Sequence, residues 1–273
     1  MEVIKRHNKS LKELSNKRQF YELIAKIKGD TDEYWATGFS QSLLIEKIQK
    51  ILQGVANKRI IDVGCGDGRT IFYLAKRKNT VIGIDISHTR LSRAKQKVLK
   101  YSNHTLTVQS YAEALPIKGE VFDGAVCTEV LEHVIDDDAL LRGLSHVLKP
   151  HAWVLISIPT VSMRRYFDML YTKNPIYFDP IEHVREFTYY KIPFLDHNFI
   201  LIRNLNKKLR LYGLTYRKRY GIAFQLPLGV SRFKIGKCLE KMCMNKRVNK
   251  IISKLPIFRN LGVYTIFILR KKA

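Results

Sequence analysis

The 273-residue sequence predicts a doubly wound α/β fold built on a mostly parallel sheet, and three observations predict it. From Lys58 onward, short runs rich in β-branched residues alternate with amphipathic segments of helical length. The first run, Ile60-Ile61-Asp62-Val63, ends in three glycines at alternate positions, Gly64, Gly66 and Gly68, and the apolar stretch Ile71 to Ala75 follows. The second run, Val81-Ile82-Gly83-Ile84, ends in the carboxylate of Asp85, 21 residues after Gly64. Such alternation implies right-handed βαβ units with helices on both faces of the sheet. Ligands on sheets of this kind bind beyond the carboxyl ends of the strands, where the glycine turn lies.

Each element has a local reason. Residues 1–28 carry Ile4, Leu11, Leu14, Tyr21, Leu23, Ile24 and Ile27 among lysines at loose helical spacing, and Gly29-Asp30 ends the pattern. Thr31 to Phe39 holds Tyr34 and Trp35, which can close over a ligand but read better as packing aromatics. A second helix is expected over 40–53, capped by Ser40 or Ser42 and stopped by Gly54. Strands are expected at 59–63, 80–85, 105–109, 121–127 and 152–158, with helices at 69–78, 88–100 and 136–148 between them. Asp136-Asp137-Asp138 suits the start of the last helix, because acids there oppose the positive end of the helix dipole. Residues 160–198 are aromatic and broken by Pro175, Pro180 and Pro193, the place for an inserted cap. Arg203 to Tyr212 reads as a helix stopped by Gly213, Leu214 to Phe224 as a strand, 231–255 as a basic helical insertion, and Val263 to Leu269 as a closing strand.

Composition sets bounds. With 46% hydrophobic residues the chain is globular, and its length suffices for a full core. The net charge of +24 is unevenly spread: residues 1–149 hold 24 Lys/Arg and 18 Asp/Glu, residues 150–273 hold 24 and 6. A basic surface of that size can meet anionic lipid, nucleic acid or an acidic substrate, or can simply be solvated. Cys65, Cys127, Cys238 and Cys243 form no C-x-x-C pair and suggest no disulfide framework. The charged N-terminus has no apolar leader, and no stretch approaches a bilayer span, so a soluble cytoplasmic protein is expected.

The glycine spacing bears on the ligand. A dinucleotide fingerprint needs a third glycine where this chain has Arg69, so a nicotinamide cofactor is disfavoured. The G-x-G-x-G turn after an acid-bearing strand resembles motif I of class I S-adenosylmethionine (SAM) methyltransferases. Three further stretches resemble the family: Tyr111-Ala112-Glu113-Ala114-Leu115-Pro116, with Tyr111 at a usual Asp position; strand four with its exit, Val121 to Val134; and Leu144 to Pro159. The resemblance covers about 58–160 and is similar in kind to the methyltransferase-11 and ubiquinone-biosynthesis O-methyltransferase type. It implies a Rossmann-like seven-stranded sheet with an antiparallel closing strand. It also divides the chain into an N-terminal helical extension (1–57), a SAM-binding core (58–160), a substrate cap (161–200) and a sheet-completing segment (201–273).

Residue by residue, the resemblance implies that Asp62 meets the ammonium end of SAM and that Gly64, Cys65, Gly66 and Gly68 let its methionine part approach the backbone. It places Asp85 and Ile86 on the ribose, Ala112 and Glu113 on the adenine side, and Thr128 beside the cofactor. Glu129, Glu132 and His133 follow strand four and are the candidate catalytic residues. Two functional roles are open for them, beside a structural one in which the acids only cap or orient a loop. His133 can act as a general base, since an unperturbed imidazole titrates near pH 6.5. Alternatively Glu129, Glu132, His133 and the distant His183 can hold a divalent ion (Mg²⁺, Mn²⁺ or Zn²⁺) that acidifies an acceptor hydroxyl. Asp85 can also serve as an N-cap, although Ser87 is available for that.

The expected reaction is methyl transfer from SAM to a small hydroxylated or lipid-like acceptor, on oxygen. An RNA or protein methyltransferase using the basic half is the alternative, and a non-catalytic SAM-binding module of a complex is the reading from another class. Lys207, Lys208, Arg210, Arg217, Lys218 and Arg219 form one basic cluster. The segment from Arg232 to Lys254 interleaves lysines with Leu239, Met242, Met244, Val248, Ile251 and Ile252, which suits peripheral contact with an anionic membrane better than nucleic acid.

Overall fold

In the computed structural model, residues 16–29, 38–99, 104–161, 186–188, 199–224, 238, 241–252 and 262–273 are described. Five parallel strands carry the sheet: β1 (Arg59–Val63), β2 (Thr80–Asp85), β3 (Thr105–Gln109), β4 (Phe122–Thr128) and β5 (Leu148–Pro159). The strand β5 starts well before the expected residue 152, because Leu148 already pairs with Phe122 across a register shift in β4. A short parallel pair, β6 (Glu186–Thr188) and β7 (Phe199–Leu201), forms a second sheet joined to the end of β5 by a Thr160–Phe187 bridge, and the sequence pattern did not signal it. The sheet is completed by β8 (Leu214–Phe224) and β9 (Gly262–Lys271), giving seven strands in the order β3-β2-β1-β4-β5-β9-β8. As expected, β9 inserts antiparallel between β5 and β8.

The helices that cover the sheet or follow it are α1 (16–28), α2 (Phe39–Leu52), α3 (Arg69–Ala75), α4 (His88–Leu99), α5 (Asp137–Val147), α6 (Ile202–Leu211) and α7 (Lys246–Ile252), and residues 238 and 241–243 are also helical. Successive strand residues face opposite sides of a sheet, and the core divides accordingly. Ile61, Val63, Ala125, Cys127, Val154 and Ile156 pack under Leu140 and Leu144 of α5 and Leu205 and Leu209 of α6. Ile60, Val126, Leu155 and Ile266 pack on the other side under Leu44 and Leu52 of α2, Ile71 of α3 and Leu91 of α4. The sheet is therefore covered on both faces, as the alternation implied.

Local chemistry sets several boundaries. Gly29 ends α1 with φ +63°, and Asp136 caps α5 by accepting from the Ala139 amide at 2.8 Å. The expected serine cap of α2 is absent: Gly38 occupies the N-cap, and the buried Ser42 donates from Oγ to the Phe39 carbonyl. The helix α3 ends at Ala75, short of residue 78, where Lys78 takes φ +56°. Within the expected 231–255 insertion the chain does not run as one helix, since the Asn245 side chain accepts from the amides of Arg247 (2.9 Å) and Val248 (3.3 Å) and starts α7 there. Tyr34, Trp35, His183 and most of the expected cap lie outside the described residues. Among the described residues, no helix is long and apolar enough to cross a membrane.

Candidate active site

At the carboxyl end of β1 the backbone reverses through Gly64, whose φ of +70° and contact with Val130 exclude a side chain: a Cβ there would fall 2.1 Å from Val130 Cγ2. The reversed turn presents its backbone to an open cleft of about 850 Å³, a volume that includes space open to solvent. Asp62, Gly64, Cys65 and Gly66 form one wall of this cleft, and Leu44, Ile48 and Leu52 of α2 form an apolar wall facing it. Thr128 and Glu129, at the end of β4, close the side next to β1.

Asp62 is the most informative side chain. It follows Ile60 on the α2 face of β1, 1% exposed, and neither of its carboxylate oxygens has a hydrogen-bond partner. Burial, with the Asp85 charge adding to it, pushes its carboxyl up to about 8. A buried carboxylate without a partner is costly, and a cationic group in the cleft would relieve it. The cations Arg69, at the first position of α3, and Arg90 of α4, whose buried Nε has no hydrogen-bond partner, also line the cleft. The cleft thus offers groups of both signs.

Asp85 sits one strand over and has a structural task besides the expected one. Its Oδ2 accepts from the Gly66 amide and its Oδ1 from the Ser87 amide, each at 2.9 Å, so it ties the glycine turn to the second strand's exit. Burial raises its pKa despite those bonds and the nearby Arg90 charge. Ser87 provides the cap on α4, accepting from the Arg90 amide at 3.3 Å. The Ile86 carbonyl accepts from Gln109 Nε2 at 2.9 Å. Glu113 Oε1 accepts from the Ile135 amide at 2.9 Å, joining the expected adenine-side segment to the exit of β4, and Ala112 packs half-buried against the core. Gly68 does not line the cleft; it lies where α3 packs on α4. Burial first, and neighbouring carboxylates second, push the thiols of Cys65 and Cys127 well up, leaving both protonated and unreactive.

The three candidate catalytic residues are not brought to one point. Glu129 faces the cleft with φ +54°, a conformation a non-glycine residue holds only under outside constraint; its carboxylate accepts from Ser157 Oγ at 2.7 Å and its amide donates to the Ser157 carbonyl. Glu132 is 1% exposed and lies 3.6 Å from His133 Nε2. His133 Nδ1 lies 2.9 Å from the hydroxyl of Tyr21 on α1. Among the described residues, the one His/Cys/Asp/Glu trio gathered tightly enough for a metal ion is Asp136-Asp137-Asp138, whose Asp137 and Asp138 both pair with Lys208. Glu129, Glu132 and His133 as arranged do not fit a single ion, and the expected fourth ligand, His183, lies outside the described residues.

Sequence reasoning missed Arg69, Thr70, Tyr73, Arg90 and the α2 residues of the cleft. Arg69 and Thr70 were findable, since the first turn after a glycine reversal points its residues at the ligand. Arg90 and α2 carry no local signal.

Residues 61–156 match the family model described as a methyltransferase domain. The ubiquinone biosynthesis O-methyltransferase of Nitrosomonas europaea is 34% identical over 119 residues, covering 42% of this chain and 49% of that protein. Its counterpart from Hydrogenovibrio crunogenus is 29% identical over 176 residues, covering 63% and 70%. The chain thus spans about half the length of the first of these relatives. A SAM-dependent methyltransferase structure from Methanosarcina mazei superposes with a TM-score of 0.52 at 18% identity, over 80% of this chain and 94% of that one, which establishes the shared fold.

Proposed function

We propose that the chain, whose residues 61–156 match the methyltransferase-domain model, is a SAM-dependent methyltransferase acting on the oxygen of a small hydroxylated or lipid-like acceptor. The observation that carries the cofactor is Asp62, a buried carboxylate with no hydrogen-bond partner in a cleft that Arg69 and Arg90 also line. Asp62 would hold the ammonium group, Arg69 with Thr70 the carboxylate, and the backbone at Gly64 and Gly66 the chain between them. Asp85 would take the ribose diol through the lone pairs its two amide bonds leave over. When bound, SAM supplies a methyl group already activated on a sulfonium. The chain's own work is then to orient an acceptor oxygen and receive its proton. Glu129, held by Ser157 at the cleft, is placed to orient the acceptor hydroxyl. The names of the relatives support an oxygen acceptor. Incubation with methyl-labelled SAM and separated lipid, metabolite, RNA and protein fractions tests the reading: label is expected in the lipid or metabolite fraction, and label in RNA or protein alone overturns the acceptor class.

The basic half gives a second expectation. In the described part of the insertion, Ile251 is 63% exposed and Met242 and Met244 are 49% and 47% exposed, beside Lys241, Arg247 and Lys250. Exposed apolar groups flanked by lysines suit the headgroup boundary of an anionic membrane, which would bring the enzyme to a lipid-like acceptor. Sedimentation with phosphatidylglycerol vesicles should be strong at low salt and fall steeply at high salt; equal sedimentation with neutral phosphatidylcholine vesicles would contradict the electrostatic contact.

A further inference from the structure

We infer that Arg90 of α4 is a cofactor-binding residue, its guanidinium donating to the ribose hydroxyl oxygens while Asp85 accepts from the same hydroxyls; the inference deepens the SAM reading above and rests on it. Arg90 stands on the first turn of α4, is half-buried and lines the cleft. Its backbone amide donates to Ser87 Oγ at 3.3 Å. Among the described residues no hydrogen bond or ion pair holds its guanidinium, and the buried Nε is left without an acceptor. A buried donor in that state is costly until a ligand supplies the acceptor.

Arg93, one turn further along the same side of α4, shows what a committed arginine looks like here. It donates to the carbonyls of Ala25 (2.7 Å) and Gly29 (2.6 Å), in and just past the last turn of α1, and to Asp67 at 3.2 Å. One arginine of the pair fastens α1 to the glycine turn. The other keeps its donors for the cleft.

The Arg90 guanidinium lies at the corner that Asp85 and Gly66 share. A Cβ at Gly66 would fall 3.7 Å from Arg90 Nη1, with no other atom as near, and the Gly66 amide donates to Asp85 Oδ2. Burial raises the Asp85 carboxyl, while its bond from the Ser87 amide and the Arg90 charge pull the other way. Arg90 therefore favours the ionised form of Asp85, which can only accept. Each Asp85 oxygen already accepts one amide, so the lone pairs left over suit hydroxyl protons. A ribose diol presents two such protons and also two oxygens that need donors. Asp85 cannot serve the oxygens. Arg90 can, through N–H groups strengthened by their charge. Arg69 is a less suitable donor for this purpose, because it belongs to the helix after the glycine turn, whereas Arg90 belongs to the helix that follows Asp85 itself.

The test is competition dialysis of the parent, Arg90→Met and Arg90→Lys against S-adenosylhomocysteine and its 2′-deoxy and 3′-deoxy analogues. Arg90→Met is expected to bind S-adenosylhomocysteine roughly 10- to 100-fold more weakly, the effect of losing a charged hydrogen-bond donor. For at least one deoxy analogue the same substitution should cost less than about threefold, because the interaction it removes is already missing from that ligand. Arg90→Lys should recover only part of the loss, since it keeps the charge but not the planar fork. Arg90→Met removes a donor that has no acceptor, so its urea midpoint should not fall below the parent's; if it does, the Arg90→Lys comparison across the same ligands decides. Parent-level affinity of Arg90→Met for S-adenosylhomocysteine overturns the inference, and so does an equal loss for all the ligands. A parent that binds S-adenosylhomocysteine while Arg90 proves indifferent leaves the SAM reading standing. A parent that fails to bind it overturns that reading and the role of Arg90 together.

Discussion

An Asp62→Asn variant is expected to bind SAM more weakly by roughly 2–5 kcal/mol, the usual cost of removing one member of a buried charged pair, while its unliganded fold becomes more stable than the parent's. Both effects come from one carboxylate that is buried with no partner and whose pKa is pushed to about 8. The sign of the pH dependence follows. Between the ordinary value of 3.8 and about 8 the unliganded fold holds a proton on Asp62 that the unfolded chain has released. The stability this group contributes is therefore fully present below 3.8 and is lost as pH rises through about 8. The slope from this group alone approaches about 1.4 kcal/mol per pH unit within that window. Urea denaturation of the unliganded proteins from pH 5 to pH 8.5 should show this slope in the parent and its loss in Asp62→Asn, to about the extent that one group allows. Equal SAM affinity in the two proteins, measured by equilibrium dialysis, would remove Asp62 from the cofactor site.

The second large effect is on the fold. Gly68 is expected to tolerate no side chain: its φ is +85°, and an added Cβ would lie 2.7 Å from Ala94 Cβ and 2.8 Å from Ala94 Cα, which belongs to the α4 backbone. Strain of the left-handed conformation costs about 1–2 kcal/mol and forced repacking about 1–3 more, so Gly68→Ala should lose roughly 2–5 kcal/mol. The loss is read as a shift of the urea midpoint without a change in slope. A variant as stable as the parent would mean that α4 yields easily at Ala94. The outcome bears on how the turn is read. The third glycine of the G-x-G-x-G run serves the close approach of α3 to α4, while Gly64 and Gly66 serve the cleft.

The parallel half of the fold was legible because its signals are local. β1, β2 and β3 begin and end where β-branched runs meet turn residues, and Gly29 and Gly213 stop α1 and α6 with positive φ as glycine stops should. Asp62, Gly64, Cys65, Gly66 and Thr128 were expected at the cofactor and all line one cleft, since strand ends and the reversal between them are fixed by short-range geometry. The exit of β4 was less legible. Glu129, Glu132 and His133 are near neighbours in sequence, and their spacing invites a shared site. A left-handed residue at Glu129 turns it to Ser157, while Glu132 and His133 stay 3.6 Å apart, the one buried and the other against Tyr21 of α1. Sequence spacing carries no information about that divergence.

By itself the sequence determined the alternation of strands and helices from β1 to β5, the closing strands β8 and β9, the glycine reversal and the acids that end β1 and β2, because hydrophobic period, β-branching and turn chemistry act over a few residues. The tertiary structure alone decided that Arg90 and α2 complete the cleft, that Asp62 is left buried without a partner, and that Tyr21 reaches His133 across 112 residues. Those relations depend on how covering helices are laid against a twisted sheet and fastened by bonds such as Arg93 to α1. Such bonds join residues far apart in the chain, where neither period nor spacing records the pairing.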